Sequence, residues 1–408
     1  MTMRIEIPFL FAAGVLVLLT ALPSCVTPAR EKKPVTTDYS RQLSPGEQAL
    51  VLVRDPAEYP DFTAAFRDTE PLIKAVNASL SFMDKPSSRT HFPVEGITHE
   101  RARRSLEAFR DDVLRSKSPE EFRKRIARNF DIYRSVGYDR AGTVLFTGYC
   151  EPVINACKTR TERFRFPLYR LPEDLVKDPD GTTRGRATAA GVELPYYTRG
   201  EIDGEGVLSG RGLELAWLES ALDAYIVHVQ GSASLRLPDG KVLKVGYAGK
   251  NGRPYSSLGQ ALIAEGKLSR DGVSLDAIRG YFSRNPEEQA GFLYRNESYV
   301  FFTDRSGGPF GSIGVEVTPY RTIATDKSVF PRAGVTLFET SLPKRKAGGG
   351  TTLEPYAGFA LDQDTGGAIR SAGRVDIFMG TGRDAEYLAG RVRSEGRLYY
   401  LFTKGPVL

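Results

Sequence analysis

DTGGAIRSAGRVDIFMGTG, residues 364–382, is where the reading of this chain turns. RVDIFMG is a short β-prone run. The five glycines of the stretch mark backbone that turns sharply or lies close to something else. Two carboxylates, Asp364 and Asp376, stand twelve positions apart in it. The same pattern recurs upstream. From about Thr143, short β-prone runs follow one another: TVLFTGY, RFPLY, AYIVHVQG, SLRLP, VLKVGYAG, SYVFF, GSIGVEVTP, RTIAT, GVTLFE and YAGFALDQD, with RLYYLF after the opening stretch. In LPDGKVLKV, Asp239-Gly240 lies between two alternating runs and predicts a hairpin. Many short strands joined by glycine-rich turns predict β-barrels.

Helices frame these runs. Asp61 to Gly137 has helical rhythm, and Ser118-Pro119-Glu120-Glu121 is a capping box with proline at the first helical position. The helix it opens is expected to carry Phe122, Ile126, Phe130, Ile132 and Tyr133 on one side. Further helices are expected near 256–268 and 274–285, and a third after Asn285-Pro286-Glu287-Glu288. KRKAGGGTT (344–352) reads as an exposed loop, as does the glycine string GEGVLSGRG (204–212), which lacks dinucleotide-binding spacing.

The bulk numbers agree with a folded chain. With 408 residues, two domains are expected. A content of 41% hydrophobic and 26% charged residues excludes a disordered polymer. The net charge of +6 could suit an anionic partner, but 56 basic residues are interleaved with 50 acidic ones and form no basic stripe, so no nucleic-acid partner is expected.

The N-terminus predicts export. IPFLFAAGVLVLLTAL (7–22) is too short to span a membrane and fits the apolar core of a secretory signal. Leu22-Pro23-Ser24-Cys25 follows it, a small residue directly before cysteine, which resembles the lipobox of bacterial lipoproteins. That resemblance implies a signal peptide over 1–24, a lipidated Cys25 and a tether over 25–60. Val26 in place of aspartate implies the outer membrane, facing the periplasm. Cys150 and Cys157 are the other cysteines. In an oxidising compartment they can pair, and two separate buried thiols fit equally well.

The chemistry narrows by residue type. There is no G-x-S-x-G elbow, and His91, His99 and His228 occupy no polar, glycine-rich setting. His228, inside AYIVHVQG, reads as a strand residue. No metal-ligand spacing is present, so neither a metal nor another cofactor is expected. Carboxylates, amides and aromatics remain, the set that polysaccharide cleavage uses.

The order of motifs resembles one family. GYCEP, PLYRLPEDL, YYTRGEI, GRGLELAWLESALDAYIVHVQGSA, LPDGKVLKVGYAGKNGRPYSSLG, NESYVFF, DTGGAI, RVDIFMGTG and GRLYYLF follow the pattern of the membrane-bound lytic murein transglycosylase A family, from about Asp61 to the C-terminus. Cys150 stands where the family has the second tyrosine of GYYEP, and Met379 where tryptophan is frequent. The resemblance implies a mainly β protein with helices. A double-psi β-barrel domain is assembled from both chain ends (61–144 and 306–408), a second β-barrel is inserted between (145–305), and peptidoglycan glycan strands lie in the groove between them.

It also implies the reaction. A glycoside hydrolase needs two carboxyl groups. A lytic transglycosylase uses no water: one acid protonates the oxygen leaving C1 of N-acetylmuramic acid, then takes the proton of that sugar's own O6 as it attacks C1, giving a 1,6-anhydro end. By resemblance that acid is Asp376. Its neighbours Val375, Ile377, Phe378 and Met379 are apolar, so burial should raise its pKa above ~3.9. Asp364 precedes Thr365-Gly366-Gly367, whose amides can hold an ionised carboxylate, and reads as a binding or structural group. The expected sugar-binding residues are Thr147, Gly148, Tyr149, Gln230, Gly231, Ser232, Tyr247, Lys250, Asn251 and Tyr255. A two-carboxylate hydrolase on the same fold and a non-catalytic wall-binding lipoprotein are the alternatives.

Overall fold

Strand Arg374–Thr381 has Val375 and Ile377 buried, while Arg374 and Asp376, on the alternate positions, reach the opposite face. In the computed structural model, which describes residue 2 and residues 37–405 apart from 179–181, 194 and 271–272, this strand is one stave of a closed barrel. It pairs in parallel with Val144–Glu151 and antiparallel with Thr322–Ala324. The ring continues through Thr351–Asp364, Val335–Arg345 and Arg393–Thr403, and the last pairs back onto Val144–Glu151. Two stretches far apart in the chain, 144–151 and 322–403, therefore build one barrel. Helices Thr69–Met83, His99–Arg115 and Pro119–Asn129 cover it, with Phe109 and Phe122 set against Phe359 of the barrel wall at ring separations of 5.1 and 5.4 Å. A buried ion pair, Lys327–Asp362, lies inside, where Tyr400 and Thr325 hydroxyls also donate to Asp362.

Val144–Glu151 runs on through Pro152 into Val153–Cys157, which belongs to a second sheet. Its strand order is Val300–Arg305, Val242–Lys250, Ser232–Arg236, Val153–Cys157, Glu214–Leu218, Phe166–Tyr169. A bridge between Arg170 and Phe302 brings the two edges together, so this sheet also curls on itself. At the joint Glu151, 2% exposed, accepts hydrogen bonds from Ser234 Oγ of the second sheet and Thr381 Oγ1 of the barrel. Helices Ala221–Gln230, Leu258–Ala264, Leu275–Arg284 and Gln289–Tyr294 share their own apolar cluster around Leu222, Ile226, Leu262, Phe282 and Phe292.

Several expectations need correction. AYIVHVQG is the helix Ala221–Gln230: Ser220 caps its N-terminus, Gly231 at φ +77° ends it, and its apolar residues are buried on nearly every side, which hides helical periodicity. The helix opened by Ser118 stops at Asn129, and Phe130–Ser135 is a strand pairing with Arg393–Thr403, so Phe130, Ile132 and Tyr133 belong to a sheet. GSIGVEVTP (311–319) forms turns, with Gly314 at φ +69° and one bridge from Phe310 to Glu316. The proposed signal segment apart from residue 2, Cys25 and the expected tether as far as residue 36 lie outside the described residues; the rest of that tether is part of the fold, with Leu50–Leu52 a strand paired with Phe130–Ser135 and Ala49 and Val53 buried. Among the described residues no helix is long and apolar enough to cross a membrane.

Candidate active site

Asp376 projects from the middle of its strand opposite Thr147 on one side and Ala324 on the other. Its Oδ1 is buried and has no hydrogen-bond partner among the described residues. Burial pushes its pKa up to about 6; the Thr147 hydroxyl and the Arg374 guanidinium act in the opposite direction, and the Asp364 charge adds to the rise. A carboxyl group in this state can be protonated near neutrality and has one oxygen free for an incoming ligand.

Asp364 differs in kind. Its Oδ1 accepts from the backbone N–H of Ser312 (2.9 Å) and of Thr365 (2.8 Å), and its Oδ2 accepts from the Tyr149 hydroxyl (2.8 Å). Burial raises its pKa, while these three bonds and Lys327 favour the ionised form. The Tyr149 hydroxyl is pushed well above its ordinary range by burial and by Asp364, so it remains a donor. The Tyr149 ring packs against Phe378 at 5.2 Å, and the two residues are register partners. Asp364 thus fixes an aromatic wall beside Asp376.

These groups line a groove of about 1080 Å³. On the barrel side it presents Gly148, Tyr149, Asp364, Arg374, Asp376 and Phe378. The second sheet, the end of its helix Ala221–Gln230 and the loop after Val242–Lys250 supply Gln230, Gly231, Ser232, Tyr247, Lys250 and Tyr255. Tyr247 is 49% exposed and Tyr255 38%, leaving ring surface free for an apolar sugar face. Gln230 Oε1 accepts from the backbone N–H of Cys150, which ties the helix end to the barrel strand. Gly148 has no room for a side chain: a Cβ there would lie 2.9 Å from Val392 and 3.0 Å from the backbone of Ala389.

One expectation fails here, at Asn251, and the open question of the two cysteines is answered by separate thiols. Asn251 is 1% exposed; its amide donates to the carbonyls of Tyr197 and Glu297, and its Oδ1 accepts from the backbone of Arg253 and Tyr299. All its capacity is used inside the protein, so it shapes the loop and does not face the groove. Cys150 and Cys157 are unpaired thiols. They sit on consecutive extended strands, and seven residues of extended chain span more than 20 Å, far beyond disulfide reach. Thr147 is placed beside Asp376, and its single hydroxyl proton has the Val375 carbonyl (3.4 Å) as the alternative acceptor.

Sequence reasoning missed Arg374, Phe378, Ser312 and Arg199. Strand alternation alone puts Arg374 and Phe378 on the face of Asp376. Ser312 and Arg199 come from distant loops with no local signal. Arg199, 2% exposed, donates to the Asn296 and Ser298 carbonyls and pairs with Asp203 at 3.4 Å. His228 lines the groove, but its Nδ1 accepts from the backbone of Val300, and burial depresses its pKa well below the ordinary value, so it is neutral and pinned.

The chain matches the family model described as the MltA specific insert domain over residues 145–303 and the 3D domain over 321–402. It is 34% identical over 268 residues to the membrane-bound lytic murein transglycosylase A of Vibrio cholerae, covering 65% of this chain and 67% of that one. The crystal structure of a membrane-bound lytic murein transglycosylase from Agrobacterium tumefaciens superposes with a TM-score of 0.72 at 31% identity, covering 87% of this chain and 98% of that one. That of Escherichia coli MltA with bound chitohexaose gives 0.68 at 25% identity, covering 91% and 100%.

Proposed function

The chain belongs to the membrane-bound lytic murein transglycosylase A family, and on that footing we propose that it is a peptidoglycan lytic transglycosylase whose single acid is Asp376. The bond cut is the β-1,4 link between N-acetylmuramic acid and N-acetylglucosamine. Asp376, neutral before the reaction, gives its proton to the oxygen leaving C1. Its carboxylate then takes the proton of O6 of the same sugar as that oxygen closes on C1. Acid and base act in sequence, so one residue serves both steps. The attacking hydroxyl is already part of the bound ring, so no water has to be positioned.

The observation that carries this reading is the contrast between the two carboxylates: Asp376 Oδ1 is buried and unpartnered, whereas both oxygens of Asp364 are occupied. Tyr149, Tyr247 and Tyr255 are assigned to sugar rings, and Gln230, Ser232 and Lys250 to their polar substituents. The domain division at 61–144 with 306–408, and 145–305, is proposed on the same basis, with Val144–Glu151 serving as a stave of the first barrel before the chain crosses into the insert at Pro152. Mass analysis of fragments from purified peptidoglycan tests the activity. Anhydro ends that disappear in Asp376→Asn support it; reducing ends, or undigested wall, contradict it.

The lipobox-like Ser24-Cys25 supports anchoring in the outer membrane, facing the periplasm. Cys25→Ser should leave an unprocessed precursor or release the protein from the membrane fraction. Normal processing and retention of that variant would refute the anchor.

A further inference from the structure

The two sugars of a peptidoglycan strand share one backbone, and N-acetylmuramic acid differs from its neighbour by a lactyl ether on O3. An enzyme that cuts only one of the two alternating bonds has to detect that arm. The groove contains one group suited to it. Arg374 lies two residues before Asp376 on the same strand, so both side chains leave the same face, about 7 Å apart along the chain. Its Nε is buried with no partner, and its Nη2 reaches only Thr147 Oγ1, at 3.5 Å. Among the described residues it forms no ion pair within 4.0 Å. Burial lowers its pKa, the mark of a cation held out of water, and Asp376 pulls the other way.

A guanidinium kept this way is costly until an acceptor completes it. It has donors only, so the missing partner is an oxygen acceptor, and its planar fork suits a carbonyl or carboxylate. The other groove cations do not present this vacancy. Arg199 is saturated by two carbonyls and Asp203, Arg253 donates to the Tyr196 carbonyl and pairs with Glu297, and Lys250, Arg305 and Arg370 stand exposed to solvent. Arg374 and Tyr255, which come from opposite walls, both line the groove.

We propose that Arg374 sets the cutting register by holding the carbonyl or carboxylate of the lactyl arm in the subsite where Asp376 acts. This rests on the reading of the groove as the peptidoglycan site. In that register the muramic C1 meets Asp376, and a strand shifted by one sugar would leave the guanidinium unpartnered. Arg374 is then a specificity-determining residue that handles no proton.

Binding to the Asp376→Asn protein, which cannot turn over, separates this from a general sugar contact. Two probes of equal length are compared: chitohexaose, without lactyl arms, and a peptide-free hexasaccharide of alternating N-acetylglucosamine and N-acetylmuramic acid. Adding Arg374→Met should weaken the alternating hexasaccharide by about 10–100-fold, the worth of a charge-assisted hydrogen bond, and change chitohexaose by less than about 2-fold. Arg374→Lys should recover part of the loss. Retained chitohexaose binding also reports an intact groove. Equal losses on both probes, or no loss on either, would overturn the proposal. Should the wild-type enzyme make no anhydro ends, the reaction assignment fails separately, because the binding comparison involves no cleavage.

Discussion

At Asp376 the cost of the site and its use coincide. Unfolded, the group titrates near ~3.9; folded, at about 6. Between those values the native state holds the proton more tightly than the unfolded one, so stability falls as pH rises from about 4 to about 6. Asp376→Asn has no charge to desolvate. It should therefore melt higher than the parent above about pH 6, by up to about 3 kcal/mol, and no higher near pH 4, as calorimetry at the two pH values would read. The acid must be protonated to act, so cleavage should decline as pH rises through about 6. Activity should drop at least ~10²–10⁴-fold in the same variant. Asp364→Asn should cost less and resemble Tyr149→Phe, because in this account Asp364 orients a ring through the Tyr149 hydroxyl. Loss at Asp364 equal to loss at Asp376 would restore the two-carboxylate reading. The raised pKa of Asp376 was legible from its apolar neighbours in RVDIFMG. The Tyr149 hydroxyl bond was not, since its partners lie 215 positions apart.

Elements bring those distant residues together, and the crossing of Val144–Glu151 against helix Arg383–Ala389 is a tight joint next to the acid. Gly148 lies under that helix, where an added Cβ would sit 3.0 Å from the Ala389 Cα and 3.1 Å from its carbonyl oxygen, so neither side can yield cheaply. Gly148→Ala should lift the helix, shift Thr147 and Tyr149 on either side, and destabilise by about 1–3 kcal/mol. Activity should fall further than melting alone explains, and parallel assays of both would show it. The hairpin and one cap were readable: Asp239-Gly240 does turn between paired strands and Ser118 does cap its helix, whereas Asn285 makes no side-chain cap to the short helix it precedes. Ala221–Gln230 was not, because a helix buried on nearly every side has the composition of a strand. Asn251 misled for a related reason. An amide among glycines and charges reads as a surface ligand, yet three backbone partners from two other segments and one from its own loop enclose it.

Across the whole molecule, the groove exists because one chain segment crosses from the first barrel into the second sheet at Pro152, and Glu151 fastens the crossing to both sides. The acid and its aromatic wall then come from the barrel, and the tyrosines that face them come from the second sheet and the loop after it. That architecture was legible as an order of motifs, whereas ring closure through Val144–Glu151 and Arg393–Thr403 has no local signature. The central claim concerns how many carboxylates and whose oxygen do the work. Digesting peptidoglycan in ¹⁸O-labelled water and weighing the fragments addresses it most directly. A one-acid reaction with O6 as the attacking group predicts 1,6-anhydro ends carrying no label. Reducing ends bearing ¹⁸O at C1 would contradict it.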